Sequence, residues 1–344
     1  MVVTEKPRVR YAPSPTGKQH IGSMRTALFN YLYARKTDGD FILRIEDTDI
    51  SRSEARYEED LYASLRWLGL EWDEGPITGG DWGPYRQSER MERYRQAVHQ
   101  LLAEKQAYFC YCTPEELEVE RERAAAEGRP PRYSGRCRDP EVRRSLSQEE
   151  GRSPVVRFWM PQGETIVVRD LIRKEVRFAS DDIGDFVIYS SEDESLEDGR
   201  PFYNLAAVVD DQAMGITHIF RGEEHLPNTP RQILLYEALG HTPPLFGHLS
   251  LILTPEGNKM SKRFGDISIA SYRKRGYLPE ALVAYLATLG WAPGPHPERF
   301  GLQKLMERFE IGQLSDNPST FDPDRLAWFN KRRLQRADVG YVGE

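Results

Sequence analysis

The first clear periodicity along the chain runs from Ile21 to about Lys36, where Met24, Ala27, Leu28, Tyr31, Leu32 and Ala34 recur at roughly helical spacing while Arg25, Asn30 and Arg35 fall mostly between them. Ahead of it, the apolar residues 9–12 followed by the turn-rich "PSPTG" predict a buried strand leaving a sheet into a loop. The helix ends at "TDGD", and "FILRI", Phe41 to Ile45, is the next strand. Strand, loop, helix, strand is a βαβ unit. It places the first loop and the helix N-terminus at the carboxyl edge of a parallel sheet, the edge at which such sheets bind ligands.

Further on, Arg90 to Leu102 and Pro114 to Ala126 read as helices, and "GRPPRYSGRCRDP" after them as irregular chain. "VVRFWM", "TIVVRDLI" and "EVRFAS" are β-rich runs split by "PQGE" and "RK", a spacing that predicts an antiparallel meander. Helical pieces and meander together, roughly residues 80 to 190, form an expected inserted domain. The α/β character returns with "FYNLAAVVDDQAMG", the strand "THIFRGEE", a helix from Asn228 or Thr229 to Gly240 with Pro230 in its first turn, and the strand "HLSLIL". Residues 279–289, 302–309 and 323–334 read as short helices. The fold class expected is α/β, a Rossmann-type parallel sheet split by an inserted α+β domain and followed by a helical domain, with boundaries at 1–80, 81–190, 191–255 and 256–344.

Composition narrows this picture little. At 344 residues and 39% hydrophobic content the chain can bury real cores, and no run of about 18 apolar residues or signal-peptide layout points to a membrane or to secretion, so a cytoplasmic protein is expected. The net charge of −7 argues against a general polyanion binder but leaves room for a local basic surface. Three cysteines suit thiols or a metal better than a disulfide framework.

Two short motifs carry chemistry. In "KQHIG", His20 stands just before a helix and Gly22 allows close approach to its N-terminal amides, a setting that attracts phosphate. In "GNKMSKRFG", Lys259, Lys262 and Arg263 crowd a loop with glycine at both ends. Each has a plainer reading alone, a polar loop residue and a solvated basic turn. As a pair at the two halves of a split sheet they are specific. Together with "RYAPSPTGKQHIGS", "FILRIEDTD", "GPYRQSER", "YNLAAVVDD" and "FRGEEHLPNTPRQILLYEALG", "NKMSKR" makes the chain resemble the class I aminoacyl-tRNA synthetases, whose signatures are HIGH and KMSKS, and among them the bacterial glutamyl group. The resemblance spans Arg8 to about Lys331; Ser23 stands where the general motif has histidine, as glutamyl enzymes commonly vary there. Family members continue into a helical anticodon-binding region, whereas this sequence stops at Glu344.

The resemblance implies ATP-dependent ligation of L-glutamate to the 3′-terminal adenosine of tRNA(Glu) through glutamyl-adenylate. The phosphates of ATP with Mg²⁺ would lie against His20, Gly22 and Ser261, with Lys259 and Lys262 approaching the departing pyrophosphate. Glutamate carries two carboxylates and an ammonium, so its pocket needs forked arginines and an acid. Arg10, Arg221 and Glu46 meet that demand at predicted strand ends, and the family places Ser14 and Tyr203 with them; the plainer reading of Arg10 and Glu46 is a strand-end salt bridge. Asp49 and the acids of "VVDD" fit helix capping and pocket ordering equally.

Cys110 and Cys112 form C-x-C, and Cys137 follows in the irregular loop. Three thiolates and a fourth ligand would satisfy tetrahedral Zn²⁺, and some bacterial members of the family carry such a structural site. The fourth position falls to Asp139, where some relatives place histidine, or to Tyr133; three reduced thiols are the plainer reading. Arg132, Arg136, Arg138, Arg143 and Arg144 in the insertion, and Lys331, Arg332, Arg333 and Arg336 in the last helix, are candidate phosphate contacts. In related enzymes the insertion cradles the acceptor end and the following helices meet the inner corner of the tRNA. The expected partners are thus glutamate, ATP and tRNA(Glu), with no membrane and a monomeric chain. Two other readings stand beside this one, a paralogue that glutamylates a modified tRNA nucleoside and a non-catalytic, zinc-stabilised RNA-binding module.

Overall fold

The computed structural model describes residues 6–49, 52–128, 130–260 and 267–336. β1 (Arg8–Tyr11), α1 (Ile21–Lys36) and β2 (Asp40–Leu43) form the expected βαβ unit, with Arg8 opposite Asp40 and Tyr11 opposite Leu43 in a parallel pair. α2 (Ala55–Trp67) is not among the elements the hydropathy pattern predicts. Only Leu61, Ser64 and Leu65 of its residues are buried, too narrow a stripe to stand out from its charges.

The next stretch holds α3 (Met91–Ala103), β3 (Ala107–Cys110), α4 (Pro114–Ala126), α5 (Pro140–Ser147), β4 (Val155–Phe158), β5 (Thr165–Asp170), β6 (Lys174–Ala179), α6 (Ser180–Ile183), β7 (Phe186–Ser190) and β8 (Arg200–Pro201). α4 begins where the sequence says it should, because Thr113 and Glu116 cap each other's backbone amides and Pro114 opens the first turn. The chain then returns through α7 (Tyr203–Ala213), β9 (His218–Gly222), α8 (Thr229–Ala238), β10 (Leu245–Leu249) and β11 (Ile252–Leu253). It closes with α9 (Ile269–Lys274), α10 (Pro279–Ala287), α11 (Leu302–Arg308), β12 (Ser319–Thr320), which pairs with β11, and α12 (Pro323–Leu334).

The main sheet has the order β2-β1-β9-β10-β5-β6 and is parallel except for β6. The connection from β1 leads outward to β2, while that from β9 leads the other way to β10. The boundary between β1 and β9 is therefore a switch point, with a crevice outside the carboxyl ends of both strands. The expected three-run meander does not form. β4 lies in a separate antiparallel sheet of order β3-β4-β7-β8, with both its edges occupied, so the β5–β6 hairpin crosses to the main sheet and pairs with β10 at Asp170 opposite Phe246.

α1 is packed between the sheet and the C-terminal helices. Met24, Leu28, Phe29 and Leu32 share one core with Leu282, Leu286, Leu305 and Phe309, and Phe29 meets Phe309 ring to ring at 5.9 Å. Each such side chain contributes about 1.5–3 kcal/mol on burial, which anchors the N-terminus of α1 at the crevice. The opposite face of the sheet is covered by α3, α7 and α8 through a second core that includes Tyr94, Leu101, Leu205 and Tyr236. No helix among the described residues is long and apolar enough to cross a membrane.

Candidate functional site

A cleft of about 1220 Å³ opens at the carboxyl ends of β1 and β9, and its walls include Arg10, Ser14, His20, Gly22, Glu46, Tyr203, Arg221 and Lys259. The two other residues expected there, Ser261 and Lys262, lie outside the described residues.

At one end of the cleft, His20 caps α1. Its Nδ1 accepts from the Ser23 amide at 3.3 Å while Ser23 Oγ accepts from the His20 amide at 3.0 Å, so the serine of "HIGS" closes a reciprocal cap. An accepting Nδ1 leaves the ring proton on Nε2. Gly22 leaves room for this ring: a Cβ there would stand 3.3 Å from it, close enough that the ring would have to give by a few tenths of an ångström. The basic loop starts from a tight turn in which Gly257 has φ +82° and Thr254 N donates to Asn258 O at 2.8 Å. Beyond the loop the backbone is stitched to the first motif, Ile269 N donating to Gln19 O at 3.0 Å and Ile21 N to Ile267 O at 3.3 Å, with His20 bridged to Ser268. The motifs that the sequence separates by more than two hundred residues thus share hydrogen bonds. Arg25, one turn into α1, is buried and donates to the carbonyls of Ser250 at 2.5 Å and Leu289 at 3.3 Å, with no ion pair among the described residues. Burial pulls its pKa down to about 10, so it stays cationic at neutral pH.

At the other end lies a buried cluster of charges. Arg10 forks onto Asp211 at 3.1 and 3.3 Å. The wholly buried Arg44 reaches Asp211 at 2.6 Å, Glu46 at 3.0 Å and Asp210 at 3.8 Å, and Arg90 holds Asp210 at 2.5 Å. Burial alone would raise the pKa of Asp211, but Arg10 and Arg44 outweigh it and hold the carboxyl below its usual range. At Glu46 burial prevails over the same two arginines and the pKa is raised. The acids of "VVDD" thus pair with Arg10, Arg44 and Arg90. Three arginines face three carboxylates here.

Arg221, at the end of β9, is bound differently. Its Nη1 donates to Tyr203 Oη at 3.3 Å, Nη2 to Thr229 Oγ1 at 2.8 Å and Nε to His248 Nε2 at 3.1 Å, and it forms no ion pair among the described residues. Burial lowers its pKa, the expected response of a cation without a counter-ion. Arg44, His248 and Arg25 are site residues that the motif reading leaves without a role. Their signal is a charged or imidazole side chain inside an otherwise apolar run, "FILRI", "FGHLSL" and "IGSMRTALF", which a buried element tolerates only with partners.

In the insertion, the sulfurs of Cys110, Cys112 and Cys137 lie within 4.8 Å of one another, and all three cysteines are free. Tyr133 Oη stands 3.4 Å from Cys110 Sγ and 3.6 Å from Cys112 Sγ, and accepts from the Cys137 amide at 2.9 Å. Asp139 is not brought to the thiols: it is exposed and accepts from Glu141 N at 2.9 Å as the N-cap of α5. The Arg157 guanidinium sits 4.0 Å over the Tyr133 ring, buried beside the sulfurs. Of the insertion's arginines, Arg132 is paired with Asp181, Arg136 with Glu116 and Arg138 with Asp185, which ties much of that cluster to acids of the same unit. Lys331 and Arg332 on α12 and Arg336 just beyond it are exposed, with Arg332 over the Trp328 ring at 5.5 Å.

The family model described as tRNA synthetases class I (E and Q), catalytic domain, matches residues 6–328. A glutamate–tRNA ligase of Natranaerobius thermophilus is 52% identical over 338 residues, covering 98% of this chain and 68% of the relative. One of Carboxydothermus hydrogenoformans is 52% identical over 339 residues, covering 98% and 69%. The crystal structure of a glutamate tRNA ligase from Elizabethkingia meningosepticum in complex with its amino acid superposes with a TM-score of 0.87 at 39% identity, over 97% of this chain and 70% of that one. The chain thus spans about two thirds of the length of the curated relatives it matches.

Proposed function

The chain belongs to the class I tRNA synthetases of the glutamate and glutamine type, and from that premise we propose that its cleft joins L-glutamate to the 3′-terminal adenosine of tRNA(Glu) in two steps. The glutamate α-carboxylate attacks the α-phosphorus of MgATP and displaces pyrophosphate. The terminal adenosine 2′-hydroxyl then attacks the adenylate carbonyl and AMP leaves. Both steps need two reactants aligned and phosphate charge matched by fixed donors, and a cleft with anion-binding groups at each end meets that need.

The observation that carries this reading is the charge pattern around Arg221. The neighbouring cluster balances itself, whereas Arg221 is buried and, among the described residues, paired with no carboxylate. Glutamate brings two carboxylates and one ammonium, a net single negative charge, and so completes the pocket; zwitterionic glutamine leaves the guanidinium unmatched. Arg10, Ser14, Glu46 and Tyr203 would complete the glutamate pocket, Glu46 facing the ammonium. His20 through Nε2–H, the α1 amides next to Gly22, Lys259 and, in the loop beyond, Ser261 and Lys262 would receive the phosphates.

We further read the thiol cluster as a structural zinc site held by Cys110, Cys112, Cys137 and Tyr133. The donor set fits: three thiols and the Tyr133 phenol oxygen converge, and Arg157 would offset the negative charge that three thiolates leave on the metal. Bound zinc would staple the loop to β3. The segment 81–190 would hold the acceptor end, and the helices from 256 onward the tRNA stem, through the exposed cations of α12. The chain is taken to act in the cytoplasm as a monomer. Glutamate-dependent exchange of pyrophosphate into ATP, with and without a tRNA(Glu) transcript, tests the reaction, together with the formation of glutamyl-tRNA. Absence of exchange in every condition refutes it, and exchange with no tRNA at all would favour the nucleoside-modifying paralogue.

A further inference from the structure

The carboxylate of Asp170, the last residue of β5, is held from two sides. Oδ1 accepts from the amides of Ile172 at 2.9 Å and Arg173 at 2.8 Å, and Oδ2 lies 2.5 Å from His248 Nδ1. Both side chains are wholly inaccessible to solvent. On the far side of the imidazole, Nε2 is 3.1 Å from Arg221 Nε and 3.0 Å from Thr229 Oγ1. A guanidinium nitrogen can only donate, so Nε2 is the acceptor and the ring proton is on Nδ1, directed at Asp170. The ring is neutral in this arrangement, and burial together with Arg221 keeps its pKa below the ordinary value despite Asp170.

We propose that Asp170 and His248 are positioning residues that fix the orientation of Arg221 while leaving its positive charge free for a carboxylate ligand. The proposal rests on the assignment of Arg221 to the glutamate pocket made above. Its physical basis is the contrast with Arg10, which Asp211 orients and also neutralises. A carboxylate placed on Arg221 in the same way would compete with the substrate. With a neutral ring interposed, the carboxylate fixes the tautomer, the tautomer fixes the acceptor, and the acceptor aims the fork, at a distance where the carboxylate cancels less of the guanidinium's charge.

The test uses the full chain and three substitutions in the relay, with Arg221→Lys as reference. In Asp170→Asn the amides of Ile172 and Arg173 keep the side-chain oxygen, which turns the new NH₂ toward His248 Nδ1; the ring proton must move to Nε2, where it opposes the Arg221 Nε–H. His248→Asn keeps a donor for Asp170 but has no atom at Nε2. His248→Gln offers an oxygen there and rescues the contact to Arg221. Calorimetric titration should show glutamate Kd raised at least about tenfold in Asp170→Asn and His248→Asn, the scale of one misaligned charged hydrogen bond. His248→Gln should stay within about threefold and ATP Kd within about twofold throughout. Unchanged glutamate Kd in Asp170→Asn and His248→Asn, or equal losses for glutamate and ATP, overturns the positioning role while leaving Arg221 its place. Unchanged glutamate Kd in Arg221→Lys removes that place, and the proposal with it.

Discussion

Replacing Arg44 by methionine tests the buried charge cluster most directly. Among the described residues Arg44 is the one cation that touches all three carboxylates, Asp211 at 2.6 Å, Glu46 at 3.0 Å and Asp210 at 3.8 Å, and it has no solvent-accessible side-chain surface. Methionine fills a similar volume, so the change is chiefly electrostatic: Arg10 and Arg90 are left against three largely buried acids. Removing one partner of a buried pair costs about 3–5 kcal/mol, which for a chain of this size lowers the unfolding midpoint by about 4–7 °C. Thermal and urea unfolding followed by circular dichroism at several pH values would measure it. The sign of the pH dependence separates charge from packing. Asp211 has a folded pKa below its usual value, so its contribution is present above the unfolded carboxylate pKa of about 3.9 and is lost as pH falls through the folded value. The gap between Arg44→Met and the parent should therefore be widest near neutrality and close toward low pH. A gap under about 1 kcal/mol at neutral pH, or one that does not vary with pH, would refute the reasoning.

Three further outcomes are expected. Gly22→Ala should leave stability unchanged or up to about 1 kcal/mol higher, because alanine suits a helix better, yet slow pyrophosphate exchange at least about tenfold by displacing the His20 ring. Lys259→Ala should cut exchange by about a hundredfold with little change in glutamate KM, a pattern that a merely solvated turn would not give. Metal analysis should find one zinc per chain, lost in Cys137→Ser, bound about 10–100-fold more weakly in Tyr133→Phe, and kept in Asp139→Ala, which loses only its helix cap.

Much of the scaffold was legible because its signals are local. α1, α8 and α12 announce themselves through the spacing of their apolar residues, α4 through its cap of Thr113 with Glu116, and α8 also through the proline in its first turn. The motifs placed Arg10, His20, Glu46, Arg221 and Lys259 around one cleft. What hydropathy could not convey is which edge a strand joins: β5 finds its neighbour in β10, whose His248 is 78 positions from Asp170, and nothing in "TIVVRD" names that partner. The choice between Asp139 and Tyr133 was hidden for another reason. Both sit close to Cys137 in sequence, and only the backbone path decides that one hydroxyl meets the sulfurs while the carboxylate turns to cap α5. Arg44 has no role in the motif reading, and of its three acidic partners, Glu46, Asp210 and Asp211, the last two are brought to it only by the fold.

The route of the β5–β6 hairpin also sets where this chain can be cut and spliced. A recombination that exchanges the whole 81–190 stretch for that of another sequence would remove two strands of the main sheet and the carboxylate that anchors His248. The transferable piece is narrower and discontinuous, the β3-β4-β7-β8 sheet with α4 and α5, entered at about 104–106, left at 159–164, and rejoined after the hairpin. Chimaeras that respect those joints should keep the Arg221 setting proposed to bind glutamate, and those that ignore them should lose it.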